Sequence, residues 1–315
     1  MAVKYCIGFD IGGTKCAVSI GKIEEGDIQV LARQETPTLE NPIKTLEILA
    51  PYVEEWTKAY KVTRAGISCG GPLDGGAGVI IAPPNLASGW YGFEIVRYVQ
   101  ERFGLTAKLQ NDANACVVAE WKFGAGRGTR NMVFFTFGTG LGAGLILDGK
   151  LYSGTNDNAG EAGHIRLAPT GPLGFGKAGS FEGFCSGGGI VRLAQIMAKK
   201  EKKLPDCIEK MGGMSEITTK KLSIAAKEGD AFAKKVFAKS GEQLGKGLSI
   251  IIDILNPEMI VLGGVFMRSS ELLIPPMEKV LKKETLGESL RVCRIVPAQL
   301  SENIGDIAAL ALGDL

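Results

Sequence analysis

The sequence predicts an α/β fold built from one duplicated unit. The apolar run 3–9, the turn D-I-G-G-T-K and the run 16–20 return later in the chain as the run 132–137, the turn G-T-G-L-G-A-G and the run 145–147. Apolar stretches of strand length alternate with stretches of helical periodicity, the order of an α/β protein. The 44 glycines collect where these runs end, which suggests backbone lying close to a ligand.

Residues 3–9 and 16–20 read as two strands of a hairpin, with 28–34 as a third. Asn41 and Pro42 begin a helix that carries Ile43, Leu46, Leu49, Val53 and Trp56 on one face. Pro51 lies inside that pattern and should kink or interrupt it. Short strands follow at 65–69 and 79–82, ending in G-G-P-L-D-G and P-P-N-L-A-S-G-W. Both are strand exits of the kind where open α/β sheets bind ligands. A helix at 93–103, a strand at 105–109 and a helix bearing Ala115, Val117, Val118 and Trp121 come next. After the second glycine turn, helices are expected at 188–199 and 230–255, strands at 259–262 and 291–296, and a last helix from about Glu302.

Composition excludes several classes of function. Hydrophobic residues make up 45% and charged residues 22%, with a formal net charge of +2, so neither a nucleic-acid nor a membrane-surface partner is indicated. The first residues lack the apolar region of a signal peptide, and no run approaches the ~20 apolar residues of a membrane span. Seven scattered cysteines without a C-x-x-C pair read as free thiols in a reducing cytoplasm.

The segment Q-N-D-A-N-A-C-V-V-A-E, from Gln110 to Glu120, places Asn111 and Asp112 where a strand gives way to a helix. Either residue serves there as an N-cap; Asp112 also suits a general base that takes a proton from a substrate hydroxyl. In D-I-G-G-T-K, Gly12 and Gly13 offer backbone amides to an anion, and Thr14 and Lys15 add donors. Asp10 beside a phosphate makes sense through a hydrated Mg²⁺. The run G-E-A-G-H sets Glu161 three residues before the single histidine, His164, and Glu182 follows in a second glycine-rich loop. With Asn111 and Asp112 these form a set of donors and acceptors suited to neighbouring hydroxyls. The run G-P-L-G-F-G-K at 171–177 imitates a phosphate loop, but Ala178 follows in place of a hydroxyl and no strand precedes it.

These motifs resemble those of the ROK family (repressors, open reading frames, sugar kinases) within the hexokinase–actin–Hsp70 fold. D-I-G-G-T-K looks like its first phosphate loop and F-G-T-G-L-G-A-G-L-I-L-D-G-K-L its second. L-Q-N-D-A-N-A is similar to its catalytic segment, A-G-E-A-G-H-I to its sugar loop and I-V-L-G-G-V to its nucleotide turn. The resemblance implies two ribonuclease-H-like (actin-like ATPase) domains: a small one of residues 1–110 plus about 302–315, and a large one of residues 111–301, with ATP and sugar between them. It implies Asp112 as base, with Asn111, Glu161, His164 and Glu182 on the sugar and Asn85 and Gly71 contributing. Gly12, Gly13, Thr14, Thr139 and Gly140 would meet phosphates, and Gly263 and Gly264 the adenosine. Domain closure would exclude water.

One departure is plain. The family usually joins the histidine to three cysteines around a structural zinc. Aligned on Glu182, those positions hold Leu173, Phe175 and Ser180, none of which replaces a thiolate. No zinc is expected, and Leu173, Phe175 and Phe181 are expected to pack the loop instead.

The implied activity is ATP-dependent phosphorylation of a hexose 6-hydroxyl, glucose first, in the cytoplasm. N-acetylmannosamine, N-acetylglucosamine and fructose are alternative substrates. A non-catalytic sugar-sensing regulator is the alternative of another class. A strand beginning near residue 3 leaves little room ahead of it for a helix-turn-helix domain. A homodimer is the family expectation.

Overall fold

The computed structural model describes residues 3–300 and 304–315. The chain begins with β1 (Lys4–Ile11), β2 (Lys15–Glu24), β3 (Asp27–Pro37), α1 (Pro42–Tyr60) and β4 (Arg64–Cys69). A small hairpin, β5 (Leu73–Asp74) and β6 (Val79–Ile80), precedes α2 (Ile95–Phe103), β7 (Thr106–Asn111) and α3 (Asp112–Phe123). Then come β8 (Met132–Phe137), β9 (Leu141–Leu147), β10 (Lys150–Leu151), β11 (Leu173–Gly174) and β12 (Lys177–Ala178). Four helices follow, α4 (Phe181–Cys185), α5 (Gly187–Ala198), α6 (Asp206–Met211) and α7 (Thr219–Lys227), and then the long α8 (Ala231–Leu255). The chain closes with β13 (Met259–Leu262), α9 (Val265–Glu284), α10 (Gly287–Val292), β14 (Arg294–Pro297) and α11 (Ile304–Gly313).

Two five-stranded sheets result, β3-β2-β1-β4-β7 and β10-β9-β8-β13-β14. Each has an antiparallel glycine hairpin on one side and parallel strands on the other, so the duplication read from the sequence is a duplication of sheet topology. Packing divides the chain into one unit of Met1–Arg130, Gly144–Ala159 and Gln299–Leu315, and another of Asn131–Ala143 and Gly160–Ala298. The expected boundary at 110 differs from this division. Helix α3 continues β7 without a loop and packs on α11, which keeps it in the first unit.

The core of the first unit is built on Phe9, Ile67, Leu46, Val53 and Trp90. That of the second includes Phe134, Phe135, Phe181, Phe237 and Leu262. All seven cysteines are free. Among the described residues no helix is long and apolar enough to cross a membrane.

Several elements depart from expectation. Pro51 does not break α1. It and Glu47, whose carbonyl loses its i+4 partner, both lie on the exposed face, so the missing bond falls on the solvent side of the helix. Ile43 is exposed rather than part of the buried stripe. The strand expected at 79–82 shrinks to β6, which pairs with β5 in a small hairpin outside the main sheets and bridges from Ile80 to Phe93, because Pro83 and Pro84 end it. Residues 291–292 belong to α10, and the strand begins at Arg294. Helix α9 was hidden by Pro275 and Pro276, which it carries inside. Glu302, where the last helix was expected to start, lies outside the described residues. The 171–177 run forms the β11–β12 hairpin, with positive φ at Phe175 and Gly176, and has no strand–turn–helix geometry.

Candidate active site

In the first unit, β7 delivers Asn111 and Asp112 to the start of α3. Asn111 is the cap: its side-chain oxygen accepts from the Asn114 amide at 2.7 Å. Asp112 is therefore not consumed as the cap. Its Oδ1 accepts from the Ala113 amide at 2.8 Å, and the start of a helix favours its anion. The residue keeps solvent-accessible surface, yet the surrounding protein desolvates the carboxyl enough to raise its pKa. An accessible, proton-hungry carboxylate is what a general base requires.

The first glycine turn lies near it in the same unit. Gly12 N–H donates to Lys15 O at 3.0 Å and Gly12 O accepts from Thr38 Oγ1 at 2.6 Å, so this amide closes the hairpin. The Gly13 and Thr14 amides take no part in these bonds and both residues are exposed. A Cβ on Gly13 would lie 2.2 Å from Asn85 O, and one on Gly70 would lie 3.1 Å from Asn85 Oδ1. Asn85 thus joins the turn to the G-G-P loop that contains Gly71.

Asp10 lies at the end of this arrangement. Burial pushes its pKa up to about 6; Asp306 and Asp112 add to the rise, and Arg33 opposes it. Sequence reading missed the network around it. Lys15 Nζ pairs with Glu35 at 2.5 Å, Arg33 bonds Glu35 at 2.6 Å, and Arg33 Nε reaches Asp306 at 2.9 Å. Arg33 and Glu35 alternate on β3 as surface residues do, and nothing in the sequence ties them to Asp306, 273 positions away.

This carboxylate-rich corner suits a hydrated divalent cation. Among the described residues no group of three or more His, Cys, Asp or Glu side chains could hold a bare ion, and Mg²⁺ characteristically keeps several waters.

In the second unit the remaining candidates gather around the β8–β9 turn. Glu182 Oε2 accepts from Leu141 N–H at 3.1 Å, which leaves Oε1 for another donor. The Gly187 amide donates to Gly138 O at 2.8 Å, tying α5 to the turn that carries Thr139 and Gly140. Gly264 has φ +59°, and a Cβ on it would lie 2.1 Å from Phe137 O, so only glycine lets the Gly263–Gly264 turn meet the end of β8. Glu161 is exposed, and His164 N–H donates to its carbonyl at 3.1 Å.

Zinc does not fit the loop beside His164. Leu173 and Phe175 bring no donor and Ser180 is committed to a cap. The expectation that Leu173 and Phe175 pack the loop is corrected: they are 54% and 70% exposed. Phe175 only sets its ring against His164, at 5.1 Å between centroids. Phe181 is buried as expected and packs on Phe135. Hydrogen bonds hold the loop. Lys177 Nζ donates to His164 O at 2.8 Å, Arg166 to Ala178 O at 2.8 Å, and the Gly183 amide to Ser180 Oγ at 3.1 Å.

A sequence pattern describing the ROK family matches residues 6–314. The chain belongs to the ROK family. It is 32% identical over 310 residues to a glucokinase of Streptomyces coelicolor, covering 97% of this chain and 96% of that protein. The crystal structure of a ROK family glucokinase from Streptomyces griseus in complex with glucose and AMPPNP superposes with a TM-score of 0.76 at 30% identity, covering 98% and 99% of the two chains. The actin-like ATPase fold of this ROK protein is thereby established. The family also contains regulators. The chain is 26% identical to the Escherichia coli DNA-binding transcriptional dual regulator NagC, covering 98% of this chain and 75% of NagC.

Proposed function

We propose that this ROK protein is a sugar kinase that transfers the γ-phosphoryl group of ATP to the 6-hydroxyl of a hexose, with glucose as the first substrate. The observation that carries this reading is the division of labour at the start of α3: Asn111 makes the cap, and Asp112 stays accessible with a raised pKa. A residue needed only for helix stability has no use for that arrangement. The likeness to the two Streptomyces glucokinases supports the same reading.

Asp112 takes the hydroxyl proton as the oxygen attacks. Asn111, Glu161, His164 and Glu182 orient the sugar, with Asn85 and Gly71 contributing. The backbone of Gly12, Gly13, Thr14, Thr139 and Gly140 meets the phosphates, Lys15 adds charge at its exposed ion pair, and Gly263 and Gly264 face the adenosine. Asp10 would hold Mg²⁺ through water, and when bound this ion neutralises charge building on the phosphoryl oxygens. Positioning and charge stabilisation dominate such reactions, and a base adds roughly 10²–10⁴-fold.

The test is an ADP-release assay with Mg²⁺ and ATP over glucose, fructose, mannose, N-acetylglucosamine and N-acetylmannosamine. Glucose is expected to give the highest kcat/KM. Turnover of an N-acetylhexosamine alone would reassign the substrate. Saturable sugar binding without ADP release on any sugar would favour a sensing role, the reading to which the likeness to NagC points.

A further inference from the structure

The second unit contains a cavity of about 830 Å³ away from the residues assigned above. Its floor is apolar, formed by Phe184 of α4, Leu193, Ile196 and Met197 of α5, and Ala238 of α8. Pro172 and Gly171 close one side, at the start of the zinc-less loop. The rim is basic. Lys200, Lys235, Lys239 and Lys246 surround a single acid, Glu242, which pairs with Lys239 at 3.0 Å. Lys200, Lys235 and Lys246 are exposed and make no ion pair among the described residues. Inside, Gln243 is 2% exposed, and its side-chain oxygen has no hydrogen-bond partner.

An unsatisfied buried amide oxygen is destabilising, and native interiors seldom leave one without a purpose. From these features we infer a binding site for an amphipathic organic carboxylate that carries a hydroxyl group. The apolar floor takes its chain, the unpaired lysines take its carboxylate, and its hydroxyl donates to Gln243. The volume falls within the range of about 300–1,000 Å³ usual for small-ligand sites. A second copy of this chain is a poorer occupant. Two-fold pairing would set the unpaired lysines of one face against those of the same face of the other.

The probes are 3-hydroxydecanoate, decanoate and decyltrimethylammonium, titrated calorimetrically into the full chain without sugar or nucleotide, so the outcome is independent of the kinase reading. One 3-hydroxydecanoate per chain is expected, decanoate binding more weakly and the cation not at all. Ala238→Trp, which fills the cavity, should abolish binding. Lys235→Glu with Lys246→Glu, at exposed positions that leave folding intact, should weaken it roughly tenfold or more. Gln243→Leu should erase the preference for the hydroxylated acid. Absence of saturable binding, equal binding of the cation, or binding unchanged in the double lysine variant would overturn the site. So would a dimer that Ala238→Trp dissociates while neither acid binds, since the groove would then be a self-interface.

Discussion

Asn111 Oδ1 accepts the Asn114 amide at 2.7 Å, so the residue that begins α3 structurally is the neighbour of the one proposed to act chemically. The two roles are separable by mutation. Asp112→Asn keeps the side-chain shape and removes the base; sugar binding should persist while kcat falls roughly 10²–10⁴-fold. Asn111→Ala should lower stability by about 1 kcal/mol through loss of the cap and raise the sugar KM. Calorimetric sugar titration beside ADP-release kinetics measures both. Wild-type turnover by Asp112→Asn would remove the base assignment.

Asp10 gives a pH dependence whose sign is fixed. Its pKa is about 6 in the folded chain, against an ordinary value of 3.8. The folded state therefore holds this proton more tightly than the unfolded state does. The stability it contributes falls as pH rises from about 4 to about 6, by at most about 3 kcal/mol, and is not regained above that. Asp10→Asn removes this dependence. Its stability relative to wild type should rise across that window, in urea unfolding at pH 4.5, 6 and 7.5, while its turnover is lost. A constant difference across the three pH values would refute the assignment.

Glu120 is a structural counterpart that the sequence does not advertise. It is fully buried in the first unit, accepting from Leu300 N–H at 2.8 Å and Ala125 N–H at 2.9 Å. Glu120→Ala strands both donors and should cost about 2–4 kcal/mol. Glu120→Gln retains one acceptor oxygen and should cost less. Denaturant midpoints separate the two, and identical losses would mean that packing rather than hydrogen bonding sets the penalty.

The zinc-less loop predicts insensitivity to metal removal. Dialysis against a zinc chelator should leave the thermal midpoint unchanged, and elemental analysis should find no stoichiometric zinc. Ser180→Ala should lower stability by about 1 kcal/mol, because the hydroxyl caps α4. One tightly held zinc per chain would reverse this reading.

Local pattern made much of the fold and candidate site legible. Strand length, helical period and the two glycine turns are properties of consecutive residues, so β1, β2, β8 and the start of α3 stand close to where the sequence puts them. The motif positions Asp10, Gly13, Asp112, Glu182 and Gly264 were likewise readable. What escaped depends on partners distant in the chain. Pro51 is tolerated because its face of α1 meets water, and α9 persists through two prolines. Glu120 is matched by Leu300, and Arg33 by Asp306. Which of Asn111 and Asp112 caps α3 was undecidable from sequence, since both side chains can accept the same amides. Only the tertiary structure decided it, because hydrogen-bond direction and the desolvation of a carboxyl depend on atoms that folding brings near.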